Sequence, residues 1–155
     1  MNDEQFIELA ILEAKKAAKA GNPPIGTVII KDNKVIASGW SSVGKDLDPS
    51  GHNDTNCIRA ACKVLNSLNL SGCIMYSTIE PCSMCFGCAA WAGISRIVFG
   101  AYQEDIAANP YEIVGYHAEE SGKKVQPTEI VVTGGVLQEK CKELMSGYKN
   151  WGPTV

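Results

Sequence analysis

Two short polar clusters constrain the fold of this chain more than any other feature. They are His52-Asn53-Asp54 and Pro81-Cys82-Ser83-Met84-Cys85, and His52 lies thirty residues before Cys82. Each cluster stands where the surrounding pattern predicts the start of a helix. Because imidazole and thiolate groups are metal ligands, the two clusters become one site only in a fold that brings two helix N-termini together.

The residue types of the two clusters favour a catalytic zinc site. His52, Cys82 and Cys85 are three ligands, and a catalytic zinc site uses three so that the fourth tetrahedral position can hold water. Bound zinc lowers the pKa of that water to about 7, and a carboxylate is then needed to move protons. Asp54, two residues beyond His52, is the candidate for that role. The sequence therefore predicts Zn²⁺ as the cofactor.

A Cys-x-x-Cys pair has three other interpretations, which the sequence leaves open. A closed structural zinc site would add Cys88 or Cys57 as a fourth ligand. A thioredoxin-type redox pair would also open a helix after a strand, but it gives the histidine and the carboxylate no task. An iron–sulfur site of the bacterial ferredoxin type would need a fourth cysteine where Ala92 stands.

Length and charge limit the classes of protein and partner. The chain has 155 residues, enough for one domain over 1–155 and too few for two. Its net charge of −3 and its two arginines, Arg59 and Arg96, argue against a nucleic-acid partner. The acidic N-terminus and the lack of a long apolar run predict a cytoplasmic protein that is not in a membrane. Seven cysteines in a reducing compartment predict metal ligands and buried thiols, with Cys57, Cys62, Cys73 and Cys141 in the core.

Apolar spacing predicts alternating helices and strands. The helices are expected over 3–20, 52–67, 82–92 and 136–148, and the strands over 27–30, 35–38, 73–78, 96–100 and 129–132. Asp32-Asn33 predicts a hairpin between the first two strands, and 73–100 has the pattern of a βαβ unit with a parallel pair. Residues 39–51 are predicted as a polar loop, and 101–127 shows little periodicity apart from a short helix near Glu104. The fold class is α/β, a three-layer α/β/α domain with a mixed sheet.

With these residues in place, the chain resembles the cytidine deaminase-like superfamily, whose zinc signature is H-x-E followed by P-C-x-x-C. Further motifs resemble the branch that holds guanine deaminases, fungal-type cytosine deaminases and tRNA adenosine deaminases. These motifs are Asn22-Pro23-Pro24-Ile25-Gly26, Asp48-Pro49, Thr78-Ile79-Glu80-Pro81-Cys82 and Trp91-Ala92-Gly93-Ile94. The resemblance implies a five-stranded sheet and a homodimer or higher oligomer.

The resemblance also implies roles for residues outside the ligand set. Asp54 stands where the family has Glu, one methylene shorter by about 1.5 Å, and Ser41 stands where relatives commonly carry an Asn that binds substrate. Glu112 is a candidate for a carboxylate that binds the substrate. Glu80 is expected to shape the turn that carries the metal ligand Cys82, without acting on the substrate itself. The remaining substrate-binding candidates are Asn22 and Trp91. Trp91 and Trp151 could line a pocket for a flat ring. The apolar helix pattern around Trp91 is equally consistent with packing in the core.

The function implied by the resemblance is zinc-dependent hydrolytic deamination of a nucleobase, nucleoside or similar small aminated heterocycle, with release of ammonia. Guanine or cytosine is favoured, which would connect the protein to purine or pyrimidine salvage. Two alternatives remain: a tRNA adenosine deaminase, and a zinc-binding homologue, weakened or inactive because of Asp54, that serves as a binding or partner subunit.

Overall fold

The computed structural model describes residues 1–106 and 113–148 as a five-stranded mixed sheet covered by helices. The strands are β1 (Thr27–Lys31), β2 (Lys34–Gly39), β3 (Ile74–Ile79), β4 (Arg96–Ala101) and β5 (Val131–Thr133). The helices are α1 (Asp3–Lys19), α2 (Val43–Asp46), α3 (Asn53–Leu65), α4 (Ser83–Trp91), α5 (Ala118–Gly122) and α6 (Gln138–Met145), with a 3-10 turn at Gln103–Asp105. None of the helices in these two ranges is long and apolar enough to cross a membrane.

The strand order is β2-β1-β3-β4-β5, and both predicted strand arrangements are confirmed. β1 pairs antiparallel with β2 through a two-residue turn in which Asp32 and Asn33 have φ of 48° and 63°, a conformation that these two residue types tolerate. β1 is also antiparallel to β3, whereas β3, β4 and β5 run parallel. All three parallel strands therefore end at the same edge of the sheet.

Alternate strand residues face two separate hydrophobic clusters. Val28, Tyr76 and Val98 pack with α1 and α6 on one face of the sheet. Ile29 and Met75 pack with α3, α4 and the start of α5 on the other face. Because side chains alternate along a strand, this division produces the predicted three-layer α/β/α arrangement.

Two short helices are absent from the sequence prediction. α2 lies in the stretch predicted as a polar loop, and α5 lies in the stretch of low periodicity; each is too short for a helical apolar repeat to show. The predictions were also inaccurate at the end of the chain, where β5 begins two residues later than expected and α6 is confined to Gln138–Met145. Cys57, Cys73 and Cys141 are fully buried, Cys62 is half-buried, and all seven cysteines are free thiols.

A charged cluster fixes the start of α1 against the sheet. Both oxygens of Asp3 accept hydrogen bonds from the Arg96 guanidinium, at 2.8 and 2.7 Å, and the Tyr76 hydroxyl donates to Oδ1 at 2.9 Å. The hydrogen bond from Arg96 is the main cause that lowers the pKa of Asp3 below its usual value. The pair joins residues 93 positions apart in the chain.

We predict that Asp3→Asn destabilises the protein by about 1 kcal/mol at pH 7, since charged hydrogen bonds at a half-exposed site are lost. A lowered folded-state pKa means that this stability is present above the unfolded pKa, about 3.9, and is lost as pH falls through the lower folded value. Urea unfolding at pH 7 and across the acid range measures it. Glu4→Gln, on the exposed side of the same helical turn, is the control. Equal losses in the two variants would contradict a specific role for the Asp3–Arg96 pair.

Candidate metal and catalytic site

The N-termini of α3 and α4 meet at one edge of the sheet. His52 is the N-cap residue of α3, and its carbonyl accepts the Asn56 N–H at 2.9 Å. Cys82 is the N-cap residue of α4, and its Sγ accepts the Cys85 N–H at 3.4 Å. Because both helices pack on the same face of the sheet, ligands that are distant in sequence converge in space.

The backbone before His52 is held by hydrogen bonds and by a close helix–strand approach. The Asn56 amide donates to the Trp40 carbonyl at 2.7 Å and to the Gly51 carbonyl at 3.1 Å. A Cβ atom at Gly39 would lie 2.3 Å from the Asn53 carbonyl oxygen, so only glycine lets α3 approach β2 this closely. These contacts fix the position from which the His52 ring projects.

The distances between the three candidate ligands fit a tetrahedral zinc ion. His52 Nδ1 lies 3.6 Å from Sγ of Cys82 and 3.6 Å from Sγ of Cys85. Zn–S bonds of about 2.3 Å and Zn–N bonds of about 2.05 Å at the tetrahedral angle give an N···S separation of about 3.6 Å. The three ligand atoms all lie within 4.8 Å of one another, and no fourth histidine, cysteine or carboxylate joins this group in the described part of the chain.

The two thiols are arranged for deprotonation. The hydrogen bond from the Cys85 thiol is the main cause that lowers the pKa of Cys82 to about 4, and the His52 ring and the Cys85 backbone N–H act in the same direction. The same thiol contact raises the pKa of Cys85, because that group holds the shared proton. A bound cation stabilises both thiolates and so releases this proton.

Asp54 is a buried carboxyl group beside the ligands. It is 3% exposed in the first turn of α3, and burial raises its pKa to about 6, against the opposing effect of a hydrogen bond from Thr27. A proton-transfer group is most effective when its pKa lies near the working pH. The environment of Asp54 is therefore suited to a group that both accepts and donates a proton near neutrality.

The ligands and Asp54 line a cavity of about 430 Å³, within the range of small-molecule sites. The other lining residues are Ile25, Asn53, Ser77, Ile79, Glu80, Gln103, Glu104, Ile106, Ile113, Val114, Gly115, Tyr116 and His117. Three carboxylic acids, Asp54, Glu80 and Glu104, are among them, whereas the described lining contains neither lysine nor arginine. The described lining thus has acidic groups and lacks the lysine or arginine side chains that commonly bind a phosphate.

Glu80 joins the ligand turn to the far wall of the cavity. Its carboxylate accepts the Ala118 N–H at 2.8 Å and the Gln103 N–H at 3.2 Å, and it is 4% exposed. The sequence had suggested that Glu80 shapes the turn at Pro81-Cys82. Its side-chain hydrogen bonds reach Gln103 and Ala118, and described residues near both of these, within 103–106 and 113–117, line the cavity.

Other substrate-binding predictions find less support. Asn22 and Ser41 are half-buried, but neither is among the residues that line the cavity. Trp91 is 94% exposed at the end of α4 and lies outside the cavity lining, so within this chain it neither lines the pocket nor packs in the core. Glu112 and Trp151 lie outside the described residues.

The sequence analysis missed several residues that surround the acid. Thr27 and Ser77 are buried strand residues next to Asp54, and Asn53, the middle residue of the first cluster, bonds to its carboxylate. The only signal in the sequence was the polar character of these residues within apolar strand and helix patterns. His117 is exposed and also lines the cavity.

Comparison with known proteins identifies a family and several relatives. The family model described as the cytidine and deoxycytidylate deaminase zinc-binding region matches residues 1–101. The chain is 40% identical to a guanine deaminase of Bacillus subtilis, over 69% of each protein. It is 33% identical to the chloroplastic tRNA(adenine(34)) deaminase of Arabidopsis thaliana, over 94% of this chain but only 12% of that protein.

A solved structure from biochemical and structural studies of A-to-I editing by tRNA:A34 deaminases superimposes with a TM-score of 0.76 at 29% identity. The alignment covers 90% of this chain and 98% of that one. The fold of this chain is therefore similar to the fold of that solved structure.

We predict that Cys82→Ala loses most of its zinc affinity, because a site with two remaining protein ligands no longer has the set that zinc requires. Metal content after dialysis against a dilute chelator measures this. Cys88→Ala is the matched control, since Cys88 is a half-buried cysteine on the same helix that is not part of the ligand group. Zinc loss in Cys88→Ala equal to that in Cys82→Ala would favour a closed structural site.

Proposed function

Because the chain belongs to the family defined by the cytidine and deoxycytidylate deaminase zinc-binding region, we propose that it is a zinc-dependent hydrolytic deaminase of a small aminated heterocycle. The substrate would be a free nucleobase or nucleoside, with guanine or cytosine as the first candidates. The observation that carries the proposal is the buried Asp54 carboxyl beside the three candidate zinc ligands, in a small cavity with no described lysine or arginine.

In the proposed reaction the chain supplies metal ligands and a proton carrier. His52, Cys82 and Cys85 would hold zinc, which supplies a water of pKa about 7 as the nucleophile. The Asp54 carboxylate would take a proton from the attacking water as the water oxygen bonds to the amidine carbon, and would deliver that proton to the adjacent ring nitrogen. It then moves the second proton to the amino group, so that the C–N bond breaks, ammonia leaves and a C=O bond remains.

The acidic cavity supports a substrate without a phosphate. Asp54, Glu80 and Glu104 line the cavity. The sequence of residues 107–112 contains neither lysine nor arginine. The 40% identity to the guanine deaminase of Bacillus subtilis supports the same class of substrate. A cytoplasmic location and one domain over 1–155 stay predictions from the sequence.

The second candidate function is deamination of adenosine in tRNA. It is supported by the tRNA deaminase relatives, one of which aligns over 98% of its solved chain. A third reading, a zinc-binding partner subunit without turnover, rests on the replacement of the family's Glu by Asp54.

We predict that the zinc-loaded protein releases ammonia from one of guanine, guanosine, cytosine or cytidine, and that the matching 5′-monophosphate is a poorer substrate because acidic groups face it. Coupled ammonia assays over 50–300 mM salt measure both. His52→Ala is the control, and it should be silent. A flat salt dependence agrees with a small neutral substrate, since phosphate contacts give a steep one.

Turnover confined to tRNA, with a steep salt dependence, would contradict the small-substrate proposal and favour the second candidate. Silence on every substrate would favour the partner-subunit reading.

We also propose a homo-oligomer, supported by apolar side chains that the chain leaves uncovered. Leu68 is 86% exposed and Trp91 94% exposed, and the segments that carry them are joined by the Leu70 N–H to Ala92 carbonyl hydrogen bond at 2.7 Å. Large apolar side chains grouped on a surface are typical of protein–protein contacts.

We predict that Trp91→Glu converts the oligomer to a monomer at the same protein concentration, because it places a charge in an apolar contact. Sedimentation velocity measures the change. Leu12→Glu, at a position that is 52% exposed on α1 in the opposite layer, is the control. If Trp91→Glu sediments like the parent protein, this surface is not the interface.

A further inference from the structure

A buried polar cluster surrounds Asp54, and the zinc ligand set does not account for it. Thr27 is 0% exposed, Asn53 5%, Asp54 3% and Ser77 0%. Thr27 on β1 and Ser77 on β3 are direct partners in the strand register, and Asn53 and Asp54 begin α3 above them. Four adjacent buried polar side chains are unfavourable unless they satisfy one another.

The hydrogen bonds of the cluster converge on one carboxylate oxygen. The Thr27 hydroxyl donates to Asp54 Oδ1, and the Asn53 amide donates to the same oxygen at 2.8 Å. The Asn53 amide also donates to Thr27 Oγ1 at 2.7 Å. A hydroxyl has one hydrogen, so Thr27 gives it to the carboxylate and accepts from its neighbours. Two donors on one oxygen thus hold the carboxylate in place.

We propose that Thr27 and Asn53 are positioning residues that adapt this site to an aspartate, a proposal that rests on the deaminase function proposed above. The hydrogen bonds from the Thr27 hydroxyl and the Asn53 amide both end on Oδ1 of Asp54. In this proposal Oδ2 is the oxygen that accepts and returns the transferred protons. On this view Asp54 is the acid that the site is built for, not a shortened and weakened glutamate.

The reach of the side chain explains why the cluster specifies Asp. A glutamate would carry its carboxylate about 1.5 Å further from the helix backbone. The Thr27 hydroxyl and one Asn53 N–H would then lose their acceptor in a buried site, and an unsatisfied buried donor is strongly unfavourable. The same donors that stabilise the aspartate therefore act against a glutamate at this position.

Thr27→Val and Thr27→Ser form a matched pair that tests the proposal. Valine keeps the shape of threonine but lacks the hydroxyl, whereas serine keeps the hydroxyl. We expect Thr27→Val to lower kcat by about 10- to 100-fold with KM little changed, since a carboxylate misplaced by about 1 Å costs about that much. We expect Thr27→Ser to stay close to the parent protein. A purely structural role would lower the melting temperature without this division between kcat and KM.

A second pair of variants tests the specification of Asp. Asp54→Glu should lower kcat in the parent protein. Asn53→Ala and Thr27→Ala together should lower kcat strongly when Asp54 is present. In the Asp54→Glu background the same two changes should lower kcat much less, because the longer side chain no longer uses those donors. Additive losses would overturn the proposal, and so would an Asp54→Glu variant that is faster than the parent protein.

Crystal structures of the zinc-loaded parent and of Thr27→Val give a readout that needs no turnover. The proposal expects Oδ1 of Asp54 within hydrogen-bond distance of Thr27 and Asn53 in the parent, and a rotated carboxylate in the variant. A carboxylate that keeps the same position in both overturns it. If the parent protein releases ammonia from no substrate, the proposed function fails, and these structures still decide the positioning role.

Discussion

The meeting of two helix N-termini at one edge of the sheet is the constraint on which the site depends. α3 and α4 pack on the same face, and each begins with a residue whose side chain is a metal ligand. The backbone N–H groups at such ends favour negative charge, and here the Cys85 N–H is directed at the Cys82 sulfur. The close approach at Gly39 and the hydrogen bonds of Asn56 hold the N-terminus of α3 against the end of β2. The ligand geometry is therefore a property of the whole α3–sheet–α4 layer and not of a local motif.

A buried acid in this layer needs its own compensation. Removing a carboxylate from water without partners costs several kcal/mol, and the raised pKa of Asp54 reflects that burial. The donors from Thr27 and Asn53 offset part of the penalty while leaving the group able to hold a proton. Burial and hydrogen bonding thus act in opposite directions on one pKa, and their balance lies close to neutrality. The distant Asp3–Arg96 pair, which is half-exposed, uses similar groups only to fix a helix.

The sequence allowed prediction of the elements whose signals are local. The Asp32-Asn33 turn, the βαβ unit and the ligand set of His52, Cys82 and Cys85 follow from spacing and residue type, and the structure brings the three side chains together. The short helix α5 could not be predicted, because its first N–H is held by Glu80, 38 residues earlier. The contact between Thr27 and Asp54 could not be predicted for the same reason. It depends on strand register and helix packing, which a pattern along the chain does not contain. Trp91 was misassigned because an apolar helix pattern does not tell which side of the helix is covered.

The reaction class and the substrate depend on different parts of the molecule. In the proposed reaction the zinc ligands and Asp54 act on a carbon, a ring nitrogen and an amino group that all aminated heterocycles share. This part of the site would therefore not distinguish a guanine from an adenosine in tRNA. In the proposed function, selection depends on the opposite wall, to which residues within 103–106 and 113–117 contribute and where Glu80 accepts a hydrogen bond from Gln103. A phosphate next to a carboxylate is opposed by charge repulsion, which solvent weakens at an exposed position such as that of Glu104. Glu104 on that wall therefore weighs against phosphorylated substrates, although the catalytic edge of the sheet would accept their bases.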